Sequence, residues 1–94
     1  MGIEQRTHSN KLIEQMANKV VEIVKERNAN YGDENLTRYG HLGLIVRISD
    51  KIARIENMKD MEKTEKIVKA LRNDYSDIAG YGIMGLKLMK ENKL

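Results

Sequence analysis

Four residues able to do chemistry crowd one short stretch, "VRISDKIAR" (Val46 to Arg54). Arg47, Asp50, Lys51 and Arg54 recur three and four apart, so on a helix their side chains are neighbours. Three cations around one carboxylate suit a phosphate or nucleotide, because guanidinium offers a planar fork to anions. The acid would then hold a divalent ion or recognise an N–H group on a base. The plainer alternative is a solvated ladder of ion pairs, each worth about a few tenths of a kcal/mol. By spacing alone, the ladder is the more economical reading. A second constellation is "RNDYSD", where Asp74 and Asp77 share one helix face and can share a Mg²⁺, which prefers hard oxygen ligands. Its plain alternative is an exposed acidic pair. Asp77 heads the line Tyr81, Met84 and Leu88, so it is expected to face protein, where a buried acid needs a partner. Arg47 or Arg54 is the natural candidate.

Three helical segments must position these groups, and no stretch shows the alternation of a strand. The first is predicted over about residues 9–29, with Ser9 or Asn10 as N-cap and an apolar face through Leu12, Met16, Val20 and Val24. Arg27 continues the stripe of Met16, Val20 and Ile23, so its head must find an anion or lie at the stripe's end. Glu22 points away from that face, and with Glu26 it reads as solvated. The connector over 30–40, rich in Gly, Asn and Asp, is long for a helix–helix link, and long loops are often functional.

The second helix is predicted over 41–58, with Ile45, Ile48, Ile52 and Ile55 as its main apolar stripe and Leu42, Val46 and Ala53 beside it. The third is predicted over 63–92. One face carries Val68, Leu71, Tyr75, Ile78, Gly82 and Met89, and another carries Asp77, Tyr81, Met84 and Leu88. Between Asp77 and Lys87 there is no charge. Three short helices cannot enclose one of their own members, so the C-terminal helix is expected to form a homo-oligomer interface. Ala79, Gly82 and Gly85 fit that role, since small residues admit a second backbone.

Composition bounds the rest. A chain of 94 residues fits one all-α domain with a modest core. There is no cysteine and hence no disulfide framework, and no apolar run long enough to span a bilayer, which points to a cytoplasmic protein. The formal charge of +3 is mild, and Phe and Trp are absent, so direct DNA binding or base stacking on many aromatic platforms is not expected. His8 and His41 are isolated, and no Walker, nucleophile-elbow or Rossmann pattern occurs.

"NANYGD" (Asn28 to Asp33), "GLIVRISDKIARIENM" and "LRNDYSDIAGYGIMGL" together resemble the nucleotide-modification-associated domain 1 proteins, small all-helical proteins found largely in bacteriophages and prophages. The matching positions are Tyr31 and Gly32, then Val46, Arg47, Ser49, Asp50 and Lys51, then Asp77, Ile78, Ala79 and Tyr81. The resemblance implies a nucleotide ligand and turns the Arg47 cluster from a ladder into a site. The layout is also similar to all-helical nucleoside triphosphate pyrophosphatases, which hold Mg²⁺ with acids on two facing helices. Here Arg47 stands where that cage would have a carboxylate.

The leading expectation is a non-catalytic helical oligomer in the host bacterial cytoplasm that binds a nucleotide, such as a cyclic nucleotide of immune signalling. Arg27, Arg47, Lys51 and Arg54 would hold phosphate. Tyr31, beside Gly32, would meet the base together with Tyr81, and Asp50 or Asp77 would orient the arginines. The rival is a Mg²⁺-dependent pyrophosphohydrolase with Asp50, Asp74 and Asp77 on the metal. A third reading is a purely structural or protein-binding helical module.

Overall fold

The computed structural model describes residues 2–94, and among them every regular element is a helix. Four occur in order: α1 (Ile3–Tyr31), α2 (Glu34–Thr37), α3 (His41–Met58) and α4 (Glu65–Lys90). Helix α4 is the axis of the fold. It packs chiefly against α3 and more lightly against α1.

Helix α1 begins six residues before the predicted Ser9. Ser9 and Asn10 lie inside it and cap nothing. Glu4, Gln5 and Arg6 are good helix formers, and the Gln5 side chain accepts a hydrogen bond from the Gly2 N–H (3.2 Å), so the turn starts there. At its other end the Gly32 N–H bonds the Asn28 carbonyl at 2.9 Å. Gly32 has φ +68 and ψ −164, a conformation open in practice to glycine alone. Its backbone turns the chain out of α1 and into the single-turn α2, which the connector reading did not anticipate.

Helix α3 has the predicted bounds. Its last carbonyls, unpartnered within the helix, accept from the Lys63 ammonium: Met58 O at 3.2 Å and Lys59 O at 2.8 Å. Thr64 then caps α4 by accepting from the Ile67 N–H, which sets the start of α4 two residues after the expected one. Contacts pair Arg54 with Asp74, Lys51 with Asp77 and Leu44 with Gly85, so α3 and α4 run antiparallel.

The core is small. Leu44, Met58, Met84 and Leu88 are its buried apolar side chains among the described residues, and Leu88 is fully enclosed. The inner edge of α4 is the line of Asp74, Asp77, Tyr81, Met84 and Leu88, whereas Tyr75, Gly82 and Met89 are exposed. In α3 the inner face is Leu44, Ile48, Lys51, Ile55 and Met58. Ile45 and Ile52 of the expected main stripe lie exposed with Leu42 and Val46 on the outer face. Helix α1 buries no residue fully. It meets α4 at Gly80, where a Cβ would lie 3.2 Å from Val24 Cγ2. No helix among the described residues is long and apolar enough to cross a membrane.

Candidate functional site

A chain of alternating charges stitches the three long helices together. The Arg27 guanidinium of α1 donates to Asp77 Oδ1 of α4 at 3.0 Å. Lys51 of α3 reaches the other oxygen of Asp77 at 3.2 Å and Asp74 at 3.9 Å. Arg54 then donates through Nε to both oxygens of Asp74, at 3.0 and 3.1 Å. Asp74 is 1% exposed, and no buried side-chain nitrogen or oxygen among the described residues lacks a partner. The acid can be buried because two cations face it. Three cations against two carboxylates leave one positive charge over.

These contacts correct several expectations. The partners of Asp77 are Arg27 and Lys51, not Arg47 or Arg54. Asp74 is enclosed rather than an exposed member of an acidic pair. Arg54 and Lys51 serve the helix junction. Lys51 turns inward because its long stem carries the ammonium past the apolar seam to the acids. Asp50 lies exposed on α3. The proposed metal trio of Asp50, Asp74 and Asp77 is not assembled: no three His, Asp or Glu among the described residues are grouped to hold a metal ion. Asp50 falls on the side of α3 away from α4, and the other two acids are occupied by cations.

Beside the charge chain lies a cleft of about 220 Å³. Helix α1 contributes Val24, Arg27, Asn28 and Tyr31, and the turn after it Gly32. Asn35 and Leu36 of α2 form one end, with Arg47 of α3 beside them. Asp77, Gly80, Tyr81 and Met84 of α4 make the floor. Of the residues singled out from sequence, Arg27, Tyr31, Gly32, Arg47, Asp77 and Tyr81 thus meet around one cavity. Asp50, Lys51 and Arg54 do not line it.

Arg47 reaches the cleft because one of its terminal nitrogens donates to the Asn35 carbonyl at 3.2 Å, at the single turn of α2. Its other N–H groups remain available. Tyr31 is 79% exposed, an aromatic ring at the rim. Asn28 and Asn35 were missed by the sequence reading; each brings a side-chain amide, at once donor and acceptor. Their only sequence signal was membership of "NANYGDEN", which reads as turn composition.

The α2 wall is itself tied down. Asp33 accepts from Lys93 at 3.0 Å and Lys87 at 3.4 Å, and Lys87 also pairs with Glu91 at 2.6 Å. The hydrogen bond from Lys93, aided by Lys87, holds the Asp33 carboxyl below its ordinary value against the opposing pull of desolvation. The Glu91 hydrogen bond in turn raises Lys87.

No family model, curated protein or solved structure matches the chain.

Proposed function

We propose that the cleft between α1, α2 and α4 binds a phosphorylated small molecule, a nucleotide in the first instance, without converting it. The observation that carries this reading is the pairing of two guanidinium groups, Arg27 and Arg47, with two phenols, Tyr31 and Tyr81, around a single cavity. Guanidinium is suited to phosphate, and the exposed Tyr31 ring offers a face on which a base can stack. The amides of Asn28 and Asn35 can read the edge of that base.

Charge and size narrow the ligand. Of the charged side chains that line the cleft, Arg27 and Arg47 outweigh Asp77 by one positive charge, which suits a single phosphate and falls short of a triphosphate. The cavity is also smaller than the roughly 300–1,000 Å³ of ordinary ligand pockets. It accommodates a phosphate and part of a nucleoside, with the remainder lying against Tyr31. A mononucleotide or a cyclic nucleotide fits these limits, and sequestration of a cyclic nucleotide signal is the biological role most in keeping with binding alone. The resemblance to nucleotide-modification-associated domain 1 proteins of phages points the same way.

The pyrophosphohydrolase alternative draws no support from the placement of Asp50, Asp74 and Asp77. We assign self-association to α4, whose exposed residues Tyr75, Ala79, Gly82, Leu86 and Met89 recur four and three apart in one apolar stripe. A mid-helix glycine costs about 1 kcal/mol relative to alanine, and a Cβ on Gly82 would meet nothing within 4 Å in the single chain. Close approach by another backbone would account for it.

Isothermal titration with AMP, ATP and a cyclic dinucleotide, followed by chromatography of the recovered ligand, tests the reading. The expected result is saturable binding of a single-phosphate or cyclic ligand, recovered intact, with ATP weaker. Release of pyrophosphate that requires Mg²⁺ would favour the enzyme. Absence of binding to all three, with Arg47→Ala indistinguishable from wild type, would leave a structural module.

A further inference from the structure

Every residue from Ile3 to Lys19 is exposed, although α1 runs unbroken through them. The segment Ile3 to Gln15 is an arm of about 20 Å at 1.5 Å per residue. It is not a polar spacer. Leu12, Ile13 and Met16 form an apolar stripe, and Ile13 is 62% exposed. A helix of this length without packing is marginal in water, and its stability normally comes from burying the apolar face.

Where the arm joins the body, a second and larger groove opens between α1 and α4, away from the nucleotide cleft. Ala17, Val20, Tyr75, Ala79 and Ile83 line it, and so does Met16, the residue that follows the arm. Lys19 and Arg72 stand at its edge. Neither forms an ion pair among the described residues. An apolar groove on the body thus adjoins a helix whose own apolar stripe has nothing packed against it.

We propose that the arm of one chain docks in the α1–α4 groove of a second copy, and that the exchange is reciprocal. A two-fold dimer requires one surface that is complementary to itself. Arm and groove are continuous through Met16, so a second copy turned end for end presents its groove to the first arm and its arm to the first groove. Ile13 and Leu12 would then be covered. The groove shares Tyr75 and Ala79 with the exposed stripe of α4. This interface therefore deepens the self-association assigned to α4 by naming what lies on it.

The absence of native cysteine makes the test clean. The first measurement is the mass of the full chain by light scattering at tens of micromolar, for wild type, Ile13→Glu and Leu86→Glu. Both substitutions fall on exposed positions, so each variant should keep the helical circular-dichroism signal. The expected result is a dimeric or larger wild type, a dissociation constant weakened about tenfold or more in Ile13→Glu, and a smaller change in Leu86→Glu. The second measurement is oxidation of the Ile13→Cys, Ala79→Cys double variant, which should give a covalent dimer, while each single variant gives less. A monomeric wild type would overturn both the arm and the α4 assignment. A dimer lost in Leu86→Glu but retained in Ile13→Glu would overturn the arm alone.

Discussion

The α3–α4 pair and helix α1 are built from the same kind of amphipathic sequence, yet they are secured in different ways. Between α3 and α4 lie the enclosed Leu88, the buried Asp74 and the two-point contact of Arg54. Helix α1 is longer than either partner and buries no residue fully. It is held by the Val24–Gly80 approach and by Arg27 on Asp77, a pair with the guanidinium more than half exposed. The difference separates framework from working surface. The fold is fastened on one side of α4, and the candidate cleft and the second groove both form on the other, where α1 rests lightly.

Substitutions that attack the two sides should therefore differ in kind. Leu88→Ala, in the fully enclosed position, is expected to cost about 2–5 kcal/mol in chemical denaturation, the largest effect in the molecule. Asp74→Ala should follow at about 2 kcal/mol, because Lys51 and Arg54 lose their shared anion while keeping partial access to water. Gly32→Ala places a side chain at φ +68 and ψ −164 and should cost about 1–3 kcal/mol. It should also weaken ligand binding, since the turn carries Tyr31 and α2. Arg27→Ala should cost only about 1 kcal/mol of stability, in keeping with an exposed pair, yet lower nucleotide affinity about tenfold. An Arg27→Ala chain that unfolds like Asp74→Ala would erase the contrast between the two sides.

The smallest effect concerns pH. The folded Asp33 carboxyl lies below its ordinary value of 3.8, so its contribution is fully present above that pH. It is lost as pH falls through the depressed folded value. Thermal melts of wild type and Asp33→Asn should differ at neutral pH and converge in strong acid. A difference that persists unchanged at low pH would show that the Lys87 and Lys93 contacts do not act through the carboxylate.

The helical class and the limits of α3 were legible in the sequence because Gly40 and the polar "KDMEKTEK" punctuate the periodic run. Which face turns inward was not. Helix α3 is apolar on both sides, so periodicity could not distinguish Ile45 and Ile52 from Leu44 and Ile48. Lys51 reads as a phosphate donor in the sequence because the acids it meets, Asp74 and Asp77, lie more than twenty residues away on α4. The need of Arg27 and Asp77 for partners of opposite charge was visible from their positions on apolar lines, but their pairing with each other spans fifty residues and depends on how α1 crosses α4. Asn28, Asn35 and Gly80 join the cleft through that crossing and through α2, neither of which has a local signature.

The central claim, that the cleft holds a nucleotide phosphate, is tested most directly by mapping amide chemical shifts of the ¹⁵N-labelled chain during titration with AMP. Binding as proposed predicts saturable changes confined to Asn28–Leu36, the neighbourhood of Arg47 and the turn of α4 from Asp77 to Met84. Changes scattered over the exposed lysines, or none at millimolar nucleotide, would contradict it.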